Sequence, residues 1–307
     1  MRPPLAFDSV SPQSPLLESA CDWLRARLDA PLDAPGDGRP LDARLVEDAI
    51  GLADAQPAMA ALISVGTRVL AVAHKATLEE APKEEVKARV QAALAAWQRD
   101  FAAASEAVVV HAQALLTGSP WVATTTRSSL VERALLKAHA EGRGVRVLLS
   151  ESRPMNEGQG LARTLAAAGV QTWFAVDGAL GLLLPQAGAV WIGADAVREK
   201  SLIVKAGTYG LLLIARELGV PAYALAQRAK FLPDRCTRLT LPRRGAEEVW
   251  PDAPTGVQVV NLPFEEVPLA LVRGVVTENG FLGPREIADA AGTTLVADEL
   301  LAPAPLT

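Results

Sequence analysis

The chain has 307 residues, half of them hydrophobic, which is enough for about two domains with real cores. Its 30 basic and 35 acidic residues give a net charge of −5 with no basic block, which excludes a nucleic-acid surface as the main partner. Cys21 and Cys236 lie far apart without CxxC spacing, which excludes a disulfide framework and a zinc site, and no uncharged apolar run reaches the roughly 18 residues that span a bilayer. The amino-terminal stretch MRPPLAFDSVSPQS lacks the apolar core of a signal peptide, so a cytoplasmic chain without membrane contact is expected.

Residues 1 to about 14 read as a loose Pro- and Ser-rich lead-in. Pro15 to Leu28 then carries Leu16, Leu17, Ala20, Cys21, Leu24 and Leu28 at helical spacing. The Pro-, Gly- and Asp-rich stretch from Ala30 to Pro40 reads as a loop. A second helix follows from Leu41, a third opens at Pro57, and the Ala-rich run from Lys83 to Leu116 favours a long fourth helix. The turn cluster Thr117-Gly118-Ser119-Pro120 separates a helical domain, residues 1–117, from a second domain, residues 118–307.

Beyond that cluster the period changes. Strands are expected at Trp121–Thr124, Val145–Ser150, Thr172–Val176, up to Ile192 and at Pro221–Ala226. Helices are expected between them at Ser129–Ala140, Leu161–Ala168, Leu180–Gln186 and Thr208–Leu218. This alternation predicts an α/β fold in which the helical domain precedes a Rossmann-like, largely parallel, doubly wound sheet. The first strand-to-helix turn lacks GxGxxG, so no dinucleotide cofactor is indicated, and no other cofactor or metal is expected.

In a parallel sheet three polar clusters fall on one carboxyl edge, where such sheets bind ligands: Thr124-Thr125-Thr126-Arg127-Ser128-Ser129, Glu151-Ser152-Arg153-Pro154 and Gly193-Ala194-Asp195. Thr124, Thr126, Ser128 and Ser129 offer hydroxyls to a phosphate or a sugar, and Arg127 and Arg153 offer forked donors to an anion. Ser128 and Ser129 serve equally well as helix caps, and Glu151 and Arg153 as an ion pair. Lys205, Gly207 and Thr208 gather a cation, a flexible backbone and a hydroxyl at a helix amino terminus, which suits a phosphate. Asp195 is the candidate general acid or base. His74, His111 and His139 have no nucleophile or metal-ligand neighbour in the sequence and suit surface or helix-end roles, while Trp121, Trp173 and Trp191 suit strand cores.

These residues resemble the initiation factor 2B alpha/beta/delta regulatory-subunit family, relatives of methylthioribose-1-phosphate and ribose-1,5-bisphosphate isomerases. The carriers are TTTRSSLVERALLKA from Thr124, SESRP from Ser150, IGAD and KAGTY between Ile192 and Tyr209, AQRAKF from Ala226, NLPFEEVP from Asn261 and TENG from Thr277. The resemblance implies a homo-oligomer, dimer or larger, that binds a phosphorylated sugar or a nucleotide monophosphate. The apolar segments Val257–Leu262 and Pro268–Val276 exceed the needs of one small sheet and suit that assembly.

The family's isomerases are understood to convert an aldose 1-phosphate to its ketose with a cysteine at the first strand end and an aspartate after Gly-Ala. Asp195 matches the aspartate, whereas the cysteine position falls at or beside Thr126, and a threonine hydroxyl replaces a thiol poorly. The family's Arg-Gly-Ala-Pro stretch is here Asp54-Ala55-Gln56-Pro57, and its Asn-Lys pair is Val204-Lys205. The resemblance therefore implies a regulatory, ligand-binding protein without the usual isomerase chemistry. The alternative is an aldose-ketose sugar-phosphate isomerase working through Asp195.

Overall fold

The structure, a computed structural model, describes residues 13–29 and 41–302. The loop expected over residues 30–40 lies outside them, as does the lead-in before residue 13. Four helices come first: α1 (Gln13–Asp29), α2 (Leu41–Ala55), α3 (Ala60–Leu78) and α4 (Lys83–Ala112). Pro82 holds the N-cap position of α4, and Glu84 and Glu85 in its first turn face the positive end of the helix dipole. Leu24, Leu45, Leu52, Leu62, Leu70 and Leu94 recur at helical spacing and are fully buried in one core. No helix among the described residues is long and apolar enough to cross a membrane.

The chain then alternates: β1 (Trp121–Thr124), α5 (Ser129–Ala140), β2 (Arg146–Ser150), α6 (Glu157–Ala167), β3 (Thr172–Ala175), α7 (Leu180–Leu183) and β4 (Ala189–Gly193). A short hairpin of β5 (Ala196–Val197) and β6 (Ser201–Lys205) precedes α8 (Thr208–Glu217) and β7 (Ala222–Leu225). After a long irregular stretch come β8 (Phe264–Pro268), β9 (Gly274–Thr277), β10 (Gly280–Leu282) and α9 (Pro284–Gly292). The main sheet has the order β10-β9-β7-β4-β1-β2-β3, parallel except for β10 against β9.

Helices cover both faces of this sheet. Val122, Val147, Leu149 and Trp191 point to the face packed by α4, α5 and α6. Their neighbours Ala123, Leu148, Val190 and Ile192 point to the face packed by α7 and α8. Burial on both sides is what makes these strands nearly continuous apolar runs. Trp121 and Trp191 are core residues, whereas Trp173 is 39% exposed because β3 is the sheet's edge.

A second, antiparallel sheet of order β5-β6-β8 was not anticipated from the sequence. It wedges between the two halves. Ala196 and Ile203 enter the helical core, and Val197, Leu202, Val204 and Val267 enter the core of the main sheet. The end of α4 likewise joins the main sheet through Val108, Val109 and Ala112, and His111 Nδ1 contacts the Thr277 carbonyl at 2.9 Å. Packing is thus continuous across Thr117-Gly118. The Pro268–Val276 segment, expected to be surplus apolar surface, is core instead: Leu269, Leu271, Val272, Val275 and Val276 are buried.

Candidate functional site

The winding direction reverses between β1 and β4, which lie side by side in the sheet. At such a switch point the loops leaving the two strands part in opposite directions and open a crevice at the carboxyl edge. From β1 come Thr124, Thr125 and Thr126, all buried, and from β4 come Gly193, Ala194 and Asp195. Gly193 allows a close approach here, because a Cβ would lie 2.5 Å from Ser128 Oγ and would force that side chain to move. That close approach seats the end of β4 against the amino terminus of α5. Ser128 occupies the N-cap position of α5 without a side-chain capping bond. Ser150 Oγ donates to the Thr125 carbonyl at 3.1 Å and ties the ends of β1 and β2 together.

Asp195 sits where the two halves of the molecule meet. Its amide donates to the Ile203 carbonyl at 2.8 Å, and its own carbonyl accepts the Ala60 amide of α3 at 3.1 Å. Ala60 is the first residue of that helix, and its N-cap residue, Met59, has no side chain that could serve its orphan donors. Beside Asp195 stands Lys230, just beyond β7, wholly enclosed, with its Nζ donating to the Ala194 carbonyl at 2.9 Å. Burial pulls this amine from 10.5 down to about 8, and the charge of Asp195 pushes it partly back. The pair sets a buried amine beside a carboxylate at the foot of the crevice.

Lys205, at the end of β6, donates from Nζ to Glu157 Oε1 at 2.8 Å and also lies 4.7 Å from the ring centre of Phe264. Glu157 is the first residue of α6, and its other oxygen accepts the Thr126 hydroxyl at 2.5 Å. Thr126 and Lys205 are therefore joined through one carboxylate. Gly158 makes this possible, since a Cβ there would lie 1.8 Å from the Ser150 carbonyl oxygen. Two residues beyond Lys205, Gly207 takes φ +92° at the N-cap of α8, and the Thr208 hydroxyl donates to the Lys205 carbonyl at 2.6 Å. The next amide, of Tyr209, donates to Glu265 Oε1 at 2.7 Å. The chain's own carboxylate thus already serves that helix end.

The two arginines are placed differently. Arg127 turns onto Glu132 of α5, with Nε–Oε2 at 2.7 Å and Nη2–Oε1 at 3.3 Å, and reaches Thr164 of α6 at 3.4 Å. That hydrogen-bonded pairing raises its already high pKa further. Arg153 is exposed at the rim, and its Nη2 donates to the Val249 carbonyl at 3.0 Å. Its amide and that of Ser152 donate to the two oxygens of Asp177, both at 2.8 Å.

Lys230 and Glu157 were not among the residues expected from the sequence. A lone lysine in the otherwise apolar run Ala229–Leu232, just past the strand beside β4, is the signal for Lys230. For Glu157 the helix was expected to open four residues later, at Leu161, which left the carboxylate in an apparent loop. Among the described residues no cluster of His, Cys, Asp and Glu could hold a metal ion.

The family model described as the initiation factor 2 subunit family matches residues 32–284. A methylthioribose-1-phosphate isomerase of Gemmatimonas aurantiaca is 30% identical over 276 residues, 85% of this chain and 78% of that protein. A ribose 1,5-bisphosphate isomerase of Haloterrigena turkmenica is 35% identical over 219 residues, 66% of this chain and 67% of that protein. Among solved structures, the translation initiation factor eIF-2B of Pyrococcus horikoshii OT3 superposes with a TM-score of 0.77 at 22% identity, covering 91% of this chain and 94% of that one. At that identity the likeness concerns the fold.

Proposed function

This chain belongs to the initiation factor 2 subunit family, and from that premise we propose that it is a regulatory ligand-binding member without thiol-dependent isomerase chemistry. The ligand is a phosphorylated sugar or a nucleotide monophosphate, held at the switch-point crevice. Thr124, Thr126, Ser128, Ser129, Lys205, Gly207 and Thr208 line it, with Arg153 at the rim. Arg127 acts indirectly by fixing α5 against α6. The observation that carries this reading is the residue two places beyond the end of β1. Thr126 stands there, and neither thiol is near: Cys21 is buried in α1, with burial pushing it up to about 11, and Cys236 is buried with its thiol against the Leu300 carbonyl. A threonine hydroxyl so far above neutral pKa neither shuttles protons nor attacks a sugar carbon well.

One observation favours the second reading, an aldose-ketose isomerase. Lys230 beside Asp195 supplies a second titratable group to the carboxylate that the resemblance matches to the isomerases' aspartate. Assembly as a homo-oligomer is part of the proposal and is supported by exposed apolar side chains. Leu182 on α7 and Ile214 and Leu218 at the end of α8 are exposed, and Gly181 packs against Ile214.

Two measurements test the reading. Ribose phosphates, methylthioribose 1-phosphate and nucleoside monophosphates are screened by thermal shift, where a ligand at a hundred times its Kd adds roughly 2.7 kcal/mol. Methylthioribose 1-phosphate and ribose 1,5-bisphosphate are then followed by NMR for ketose product. Stabilisation without turnover is expected, and robust turnover lost in Asp195→Asn would replace this reading with the isomerase one.

A further inference from the structure

A carboxylate occupies the place where the crevice offers its best anion partner. Glu157 is only 10% exposed and Lys205 22%, and the two are in contact at 2.8 Å. The second Glu157 oxygen takes the Thr126 hydroxyl, so both of its oxygens are engaged inside the crevice rather than by solvent. Immediately before Thr126, the hydroxyls of Thr124 and Thr125 are buried without a hydrogen-bond partner. Buried hydroxyls in that state call for a ligand or water.

The charge balance at this point is set. Lys205 is neutralised by Glu157, and the amide of Tyr209 at the start of α8 is taken by Glu265. A phosphate brought to Lys205 would meet Glu157 at contact distance in a partly dehydrated site. Repulsion between like charges at about 5 Å cancels what Lys205 attracts, so a second phosphate is dehydrated there with no net attraction in return. A sugar hydroxyl meets no such cost. It donates to Glu157 and accepts from Lys205 or from the threonine hydroxyls.

We propose that Glu157 selects the ligand by charge, admitting neutral hydroxyls and excluding a second phosphate at the Lys205 end of the crevice. The ligand class is then a singly phosphorylated sugar or nucleoside whose free hydroxyls face Glu157. Its one phosphate goes to the amino end of α5, where the Ser128 side chain makes no capping bond. This inference rests on the crevice being a site for phosphorylated ligands.

The test is calorimetric titration of the full chain and of Glu157→Gln with ribose 5-phosphate and ribose 1,5-bisphosphate. The parent is expected to bind the monophosphate at least tenfold more tightly. Glutamine keeps the shape and an acceptor for Lys205 but removes the charge, so the affinity for the bisphosphate relative to that for the monophosphate rises at least tenfold. The same preference in parent and Glu157→Gln overturns the role of Glu157 and leaves the ligand class of the crevice intact. Binding of neither sugar phosphate by the parent overturns the reading of the crevice and this inference with it. Should Glu157→Gln fail to fold, the parent alone decides, since equal or tighter binding of the bisphosphate refutes charge selection.

Discussion

Lys230 is the residue whose removal is most informative. Its amine is enclosed in the crevice floor, held by one carbonyl and balanced by Asp195. Folded, it keeps its proton only below about 8, whereas in the unfolded chain the ordinary value of 10.5 applies. Between those two pH values the unfolded chain holds the extra proton, so stability rises with pH across that window. The shift corresponds to about 3 kcal/mol of penalty, fully present at pH 7 and relieved as pH approaches 10.5. Lys230→Met fills similar volume with no charge, and such replacements of buried charge are often neutral or stabilising. Urea unfolding of both proteins at pH 7, 8, 9 and 10 isolates the effect, because every other titrating group is common to the two. The parent should gain roughly 2–3 kcal/mol on Lys230→Met between pH 7 and 10. A difference that stays constant within about 0.5 kcal/mol would show that the Lys230 amine is not desolvated in the folded chain.

Three further outcomes are expected. A phosphorylated ligand placed near Lys230 should hold the proton on its amine, so calorimetry at pH 9 in buffers of different ionisation enthalpy should show up to one proton taken up per ligand, and no buffer dependence would separate the ligand from Lys230. Gly158→Ala forces a Cβ to 1.8 Å from the Ser150 carbonyl oxygen; a loss of at least roughly 1–3 kcal/mol in denaturant unfolding is expected, together with weaker ligand binding because Glu157 moves. Arg153→Ala removes an exposed guanidinium that donates to the backbone carbonyl of Val249; it should change the unliganded stability by less than about 1 kcal/mol while reducing ligand-induced stabilisation by more, and a large drop in the unliganded melting temperature would give Arg153 a structural role instead.

Much of the main sheet was legible because its strands are short apolar runs ended by turn residues, with helices of ordinary length between them. The parallel direction of the strands then followed from the rules for such connections, and with it the edge on which Thr124, Thr126 and Asp195 would meet. The small sheet was not legible. β6 reads SLIVK, a plausible strand, but its partner β8 lies more than 60 positions on, with Ser201 opposite Pro268 and Ile203 opposite Glu266, and no local signal announces that pairing. Lys230 was hidden for the same reason, since the carbonyl that holds it belongs to Ala194, 36 positions earlier. Arg127 was read as a ligand donor from its place in the Thr-Arg-Ser-Ser cluster, yet Glu132, five residues on, takes it. Arg127 lies just ahead of α5 and Glu132 in its first turn, so the opening of that helix brings the two side chains within reach of each other.

The turn between α2 and α3 shows how the chain ties distant segments to the site. Arg238 donates to Asp54 at 2.6 Å from a guanidinium that is almost wholly buried. Arg238 also donates to the carbonyls of Glu299 and Ala302, so one side chain gathers the α2–α3 turn, the Arg238 segment and the stretch that ends at Ala302. Two residues later the Thr240 amide donates to the Pro57 carbonyl at 3.0 Å and fastens the same turn from the other side. Ala60 then passes this constraint directly to the backbone of Asp195. An arginine at position 54 would set two guanidinium groups against each other at the clasp. Asp54 and Glu157 act in the same way: each carboxylate answers a cation of the chain itself, Arg238 in the one case and Lys205 in the other.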